Sequence, residues 1–280
     1  MKVICIPVVN RPECAVALST AFDIGQQLGA TVMGYHLRKH GDSDVSLPDE
    51  VAAMISGEED NDEASNPSQE DACGLFAQVA ESKGYTFKKK AANSPVALWQ
   101  AKAGSPDKLF SIVGPVTDMI VVSRPANKNS VVASKFMQSA LLNSAKPVLI
   151  LPQESQATVG KHISIAWNQS AEAARAVTAA IPLMRQAESV NIITNGVEDR
   201  VGPKSRHLQQ YLTMHGIDAN HIQCREKDDT EALLSSFQQT QSDLMVMGAY
   251  SRSRLRQLIF GGVTEHMLYQ ADIPVLMLHT

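Results

Sequence analysis

The sequence runs through the same order of strands and helices twice, and this duplication constrains the fold more than any other feature. The segment DMIVVS at residues 118–123 matches DLMVMG at residues 243–248. The segment PVLIL at residues 147–151 matches PVLML at residues 274–278. Each half also opens with a short apolar run, a stretch of helical spacing and a second apolar run. The chain therefore predicts two copies of one α/β unit.

Short apolar runs that alternate with helical patterns indicate parallel strands joined by crossover helices. The predicted strands include Val3–Val9, Thr31–Leu37, Ile163–Trp167 and Ser189–Thr194, and the predicted helices include Glu13–Leu28 and Ser170–Gln186. We expect an α/β fold with two tandem, doubly wound, parallel five-stranded sheets, Rossmann-like, with helices on both faces. Ligands of such sheets bind at the carboxyl ends of the strands.

The two predicted domains are residues 1–153 and 160–280, separated by the polar stretch Gln153–Gly160. The first half is longer because it contains an acidic segment at about residues 39–70, which includes GEEDNDEASNPSQED. Its composition, poor in large apolar side chains, predicts a surface excursion.

Composition narrows the functional class. The formal net charge of −4 argues against nucleic-acid or anionic-membrane binding, which favours a basic excess. The sequence shows no transmembrane segment and no signal peptide pattern. Its four cysteines, at positions 5, 14, 73 and 224, are scattered and predict reduced thiols in a cytoplasmic protein.

The last 38 residues carry the strongest candidate site. Gly248 follows an apolar run, and Gly261 with Gly262 opens a helical pattern after a loop that contains Arg252, Arg254 and Arg256. A glycine pair at a helix start lets backbone amides approach an anion, and the helix dipole favours negative charge there. This pattern predicts a phosphate site, at which Arg252 is the arginine nearest the strand end.

The two α/β halves, the segment IAWNQSAEAARAV and the segment GAYSRSRLRQLIFGGVTEHML together resemble the universal stress protein family. ATP-binding members carry a G-x2-G-x9-G-[S/T] loop. Gly248 and Gly261 fit its first and third glycines, whereas Ser251 replaces the second glycine and Gly262 replaces the hydroxyl residue. Thr264 follows two residues later. Asn168 stands where those members have an aspartate that contacts the nucleoside.

The resemblance implies a tandem, cytoplasmic universal stress protein with a regulatory role, whose second half binds ATP or AMP; magnesium is left open. It places Ala166 and Asn168 near the nucleoside, and Ile193 and Thr194 beside the adenine. The implied phosphate contacts come from two groups of residues: Gly248, Ser251 and Arg252 in the loop, and Gly261, Gly262, Val263 and Thr264 at the helix start.

The first half departs further from the family loop. Ser123 stands in place of Gly248, and Ser134-Lys135 in place of the glycine pair, so we expect no nucleotide there. In the family, the fifth strands pair between subunits. Pairing of residues 148–151 with 275–278 inside one chain would give an intramolecular pseudo-dimer, and further homodimerisation stays open.

Other readings of the sequence remain. The runner-up is a scaffold that binds a protein or a small apolar ligand and no nucleotide; a third is a weak ATPase with Glu265 near magnesium. No nucleophile lies beside a recognisable base, so we expect no defined catalytic activity.

The basic run Lys88–Lys90 predicts a lysine-protected edge strand rather than a nucleic-acid site. The pair His36 and His40 is only a weak candidate for metal binding.

Overall fold

A computed structural model describes residues 1–9, 11–38, 69–90, 95–126, 130–154, 157–249 and 262–279. The strands are β1 (Val3–Pro7), β2 (Thr31–Arg38), β3 (Phe87–Lys88), β4 (Ala97–Ala103), β5 (Met119–Ser123), β6 (Val148–Leu151), β7 (His162–Ala166), β8 (Ser189–Asn195), β9 (Ala219–Cys224), β10 (Leu244–Gly248) and β11 (Val275–Leu278). The helices are α1 (Pro12–Leu28), α2 (Gln69–Ser82), α3 (Pro106–Val113), α4 (Val131–Asn143), α5 (Ala171–Met184), α6 (Ser205–Met214), α7 (Asp229–Gln239) and α8 (Gly262–Tyr269).

The strands form one continuous sheet in the order β3-β4-β2-β1-β5-β6-β11-β10-β7-β8-β9. Within each half, neighbouring strands are parallel, as the sequence predicts. The halves meet where β6 and β11 pair antiparallel, with Leu149 opposite Leu276. This pairing satisfies backbone groups that two separate sheets would leave exposed at their edges. The expected pairing inside one chain is therefore confirmed, and it joins the two predicted sheets into one.

Helices cover both faces of the sheet. Successive β1 residues point to opposite faces: Ile4 and Ile6 belong to one hydrophobic cluster, and Cys5 belongs to the other. The first cluster takes side chains from α1, α2, α5 and α6, and the second takes them from α3, α4, α7 and α8. The α/β prediction with helices on both faces is thus confirmed.

An aspartate anchors the first strand of each half. Asp118, just before β5, accepts hydrogen bonds from the backbone N–H groups of Lys2 and Val3. Asp243, just before β10, accepts from those of Gly160, Lys161 and His162 at 2.9, 3.1 and 3.0 Å. The repeated aspartate seen in the sequence therefore fixes where each half begins its sheet.

Three sequence predictions concern the rim of the first half. Lys88, Lys89 and Lys90 are exposed and lie at or just after the edge strand β3, as predicted. His36 is buried, with Nδ1 3.0 Å from the carbonyl oxygen of Val8. His40 and residues 39–68 of the acidic segment lie outside the described residues.

In the part of the chain described above, no helix combines the length and apolar character needed to cross a bilayer. Within the same ranges, no group of three His, Cys, Asp or Glu side chains is placed to hold a metal ion. All four cysteines are described, and none is disulfide-bonded.

Candidate functional site

The carboxyl ends of β7, β8 and β10 lie side by side. Ala166 is paired with Ile193 across β7 and β8, and β10 lies on the other side of β7, with Val246 opposite Ile165. This arrangement brings Asn168 and Gly248, the residues expected from sequence at the strand ends, to one edge of the sheet. Ala166 and Ile193 are 8% and 0% exposed and pack in the cluster under α7 and α8.

Asn168 is the exposed polar group of this edge. Its Oδ1 accepts a hydrogen bond from Ser170 N at 3.2 Å, which closes the turn into α5. Ser170 in turn caps α5, with its Oγ accepting from Ala173 N at 3.1 Å. The Asn168 side chain is thus exposed and held through Oδ1 by the turn into α5.

The loop after β8 packs over this turn. Gln169 has a positive φ of 63°, and its side-chain amide exchanges hydrogen bonds with the backbone of Arg200. Trp167 Nε1 donates to the carbonyl oxygen of Pro203 at 3.0 Å. Trp167 packs with Leu208 in the cluster opposite to that of Ala166, so its ring does not share the face of Ala166 and Ile193.

The end of β8 holds polar side chains that bond to neighbouring protein groups. Thr194 is 2% exposed, with Oγ1 2.8 Å from Nε2 of His221 on β9. Asn195 Nδ2 donates to the carbonyl oxygen of Glu226 and to Asp229 Oδ1. Sequence reasoning missed Asn195, although a polar residue closing an apolar strand was the signal for it. Asn195 fixes the entry into α7.

Gly248 ends β10 against the start of α5. A Cβ atom at this position would lie 2.6 Å from Ala173 N and 2.8 Å from Glu172 Cβ. Only glycine permits this approach without movement of the helix, so the fold itself accounts for this residue.

Gly262 begins α8 and is exposed, and a Cβ atom there would meet nothing within 4 Å. Val263 is half-buried and Thr264 is 9% exposed. The first N–H groups of an α-helix have no partner within the helix, and the dipole makes this end positive. Among the described residues, none lies within 4 Å of a Cβ atom placed at this end of α8, which favours an anion.

A cleft of about 870 Å³ lies between α7 and α8, and Gly262 is on its wall. Its lining also includes Asp228, Glu231, Glu265 and His266. Asp228 caps α7, and the hydrogen bond from Glu231 N lowers the pKa of the Asp228 carboxyl below its usual value. Carboxylates repel phosphate, so the side of the cleft formed by α7 suits a neutral or cationic group.

Three predicted site residues, Ser251, Arg252 and Gly261, lie outside the described residues, as do Arg254, Arg256 and Tyr250.

Comparison with known proteins supports a family for part of the second half. The sequence model of the universal stress protein family matches residues 198–279, which contain β9, β10, α8 and β11. Residues 198–279 therefore carry a universal stress protein domain. The resemblance drawn from the sequence is confirmed.

Relatives agree with this assignment. Stress response protein NhaX of Bacillus subtilis is 31% identical over 80 residues, which are 29% of this chain and 48% of NhaX, so the match spans about half of that relative. A universal stress protein from Archaeoglobus fulgidus has a TM-score of 0.71 at 16% identity and covers 99% of this chain and 97% of its own.

A functionally unknown protein from Pseudomonas aeruginosa PAO1 has a TM-score of 0.57 at 14% identity, with 99% of this chain and 92% of its own covered. At these identities, the solved structures show that the whole chain has the fold of a universal stress protein.

Proposed function

We propose that this chain is a cytoplasmic stress-response protein whose second half binds an adenine nucleotide, ATP or AMP, as a regulatory ligand. The proposed units are residues 1–153 and 160–280. The observation that carries the proposal is the position of Gly248 and Gly262 within the matched family domain, at the end of β10 and at the start of α8.

The phosphates are proposed to lie at the start of α8. The amides of Gly262 and Val263 and the hydroxyl of Thr264 would face them, and the missing side chain of Gly262 leaves room for close approach. Ser251, Arg252 and Gly261 complete the proposed phosphate loop in sequence.

The nucleoside is proposed to lie against the ends of β7 and β8. Asn168 supplies the exposed polar group. Ala166 and Ile193 are 8% and 0% exposed, so they would lie beneath the nucleoside and form its floor. Since Thr194 Oγ1 is engaged by His221, its backbone and methyl group rather than its hydroxyl would contact the base. An amide in place of a carboxylate at position 168 keeps a hydrogen-bonding group and removes a charge.

Calorimetric titration with ATP and AMP tests the proposal on three forms of the full chain. Gly262→Glu places a carboxylate at the proposed phosphate position, and like-charge repulsion should abolish binding. Gly74→Glu is the matched control because Gly74 is also an exposed helical glycine whose Cβ would meet nothing within 4 Å. Binding by wild type and Gly74→Glu, with loss in Gly262→Glu, supports the proposal.

A scaffold that binds no nucleotide is the second candidate function. Three observations favour it: the tight approach of α5 to Gly248, the engaged hydroxyl of Thr194, and the carboxylates that line the α7–α8 cleft. Absence of heat and of binding at millimolar ATP and AMP would make this the better account. The weak ATPase is tested by phosphate release from ATP. No release by the wild-type chain would argue against it, and release that is unchanged in Glu265→Gln would argue against Glu265 as its carboxylate.

A further inference from the structure

Arg124 connects the two halves of the molecule. It directly follows β5 in the first half and is 4% exposed. Its Nη2 donates hydrogen bonds to the carbonyl oxygens of Met267 and Ile273, both at 2.9 Å. Met267 lies in the last turn of α8, and Ile273 lies in the connection from α8 to β11. A first-half side chain thus caps a second-half helix.

The electrostatic setting favours a cation at this place. Burial lowers the pKa of the Arg124 guanidinium to about 10, although the nearby negative charge of Asp272 tends to raise this pKa. The guanidinium therefore stays charged at neutral pH. The carboxyl end of a helix is the negative end of its dipole, and a cation there stabilises the helix. Among the described residues, Nε and Nη1 of Arg124 are buried and have no hydrogen-bond partner. The two bonds from Nη2 to Met267 and Ile273 therefore help to compensate its burial.

Helix α8 needs such support because it has only eight residues. Isolated helices shorter than about 12 residues are marginal in water, so tertiary contacts decide whether and where such a helix forms. A second first-half residue also reaches α8, since Gln138 Nε2 donates to the hydroxyl of Tyr269 at 2.7 Å. Both contacts act on the carboxyl end of α8, and Gly262 is at its other end.

Arg124 in the first half corresponds to Ala249 in the second half. Arg124 N donates to the carbonyl oxygen of Leu151 at 2.7 Å, and Ala249 N donates to that of Leu278 at 2.9 Å. The two residues therefore occupy equivalent places in the two halves. The second half has a small side chain at this place, whereas the first half has a long cation that leaves its own half.

We propose that Arg124 is a positioning residue for the anion site of the second half. By holding the carboxyl end of α8, it sets the position of the Gly262, Val263 and Thr264 amides, so the first half controls the affinity of the second. This inference rests on the proposed function and adds to it a coupling between the halves.

The test compares Arg124→Met with Arg185→Met in the full chain. Arg185 is a matched control because its Nε also donates to a backbone carbonyl, that of His215, at a distant exposed place. Two quantities are measured: hydrogen exchange of the amides in residues 262–269, and the Kd for ATP. We expect Arg124→Met to speed exchange in α8 about tenfold and to weaken ATP binding about fivefold. Arg185→Met should change neither.

Arg124→Lys provides a rescue control. A lysine keeps the positive charge and has a compact ammonium in place of the planar fork, so both effects should be partly restored. If Arg124→Met fails to fold, Arg124→Lys carries the comparison with wild type.

The outcomes separate the two proposals. ATP binding by wild type that is unchanged in Arg124→Met overturns the positioning role and leaves the proposed function intact. Faster exchange in α8 with unchanged ATP affinity also overturns it, because a purely structural contact would give that result. Wild-type protein that binds no ATP overturns the proposed function and this inference together.

Discussion

The carboxyl ends of β5 and β10 have the same backbone arrangement and different side chains. Ser123 ends β5, and its Oγ donates to the carbonyl oxygen of Glu13 at 3.1 Å. Gly248 ends β10, and its missing side chain lets the backbone of α5 approach directly. The next residues are Arg124, which reaches into the other half, and Ala249, which does not. The two halves therefore share a backbone arrangement, while the side chains at the two strand ends make different contacts.

The two halves keep the same residues where these stabilise the fold, whereas the residues at their strand ends differ. Asp118 and Asp243 serve the same structural purpose in both halves. At the strand ends, by contrast, only the second half has the glycines that a phosphate site requires. Variants in each half test how far the halves behave alike.

The largest expected effect comes from the strand pair that joins the halves. Leu149 and Leu276 lie opposite each other and are both 0% exposed. Truncation of either one should lower the free energy of unfolding by about 2–5 kcal/mol, from lost burial and the cavity left behind. Met214→Ala, at a residue that is 75% exposed, should change it by less than about 0.5 kcal/mol.

Urea unfolding followed by tryptophan fluorescence measures this effect in each half. Trp99 lies in β4 of the first half and Trp167 follows β7 of the second, so single-tryptophan variants report on each separately. Because the sheet is continuous, Leu276→Ala should shift both transitions together. A shift confined to the Trp167 signal would show that the halves unfold independently.

A smaller effect distinguishes the two strand ends. Gly248→Ala forces a Cβ atom against the backbone of Glu172 and Ala173, so the free energy of unfolding should fall by about 1–3 kcal/mol. Ser123→Ala removes one hydrogen bond to Glu13 O and should cost about 0.5–1.5 kcal/mol. Chemical denaturation of both variants measures these losses, and a Gly248→Ala variant as stable as wild type would contradict the proposed packing role of Gly248.

The smallest effect concerns pH. Burial tends to raise the pKa of Asp118, but hydrogen bonds from the amides of Lys2 and Val3 leave it below its usual value. Because the folded-state pKa is lowered, the charged carboxylate stabilises the fold at pH values above the unfolded-state pKa of about 3.9. This stabilisation is lost as the pH falls through the folded-state pKa. Asp118→Asn should therefore be less stable than wild type at pH 7, and the difference should shrink below about pH 4.

Denaturation curves of wild type and Asp118→Asn at several pH values check this prediction. A difference in unfolding free energy that stays constant down to about pH 2 would mean that the carboxylate charge at position 118 plays no part.

Much of the fold could be predicted from the sequence because strand and helix patterns are local. Val148–Leu151 and Val275–Leu278 were recognisable as matching apolar strands, and their pairing inside one chain followed from the family resemblance. The exposed edge at Lys88 was also predictable from its charge. The close approach of α5 to Gly248 was not, because it depends on the distance between segments far apart in sequence.

The candidate site was only partly predictable for the same reason. Gly262 at a helix start is a local signal, and the structure places α8 as expected. Arg124 gave no signal, because its partners Met267 and Ile273 are backbone carbonyls more than a hundred residues away. Likewise, the bond between Thr194 and His221 depends on the register of β8 and β9.

The number of nucleotides bound per chain tests the central claim most directly. Native mass spectrometry of the full chain with ATP would count them without assuming which half is occupied. A single ATP per chain, absent in Gly262→Glu and retained in Gly74→Glu, is the predicted result. Two ATP molecules per chain, or none at all, would contradict the division of roles between the halves.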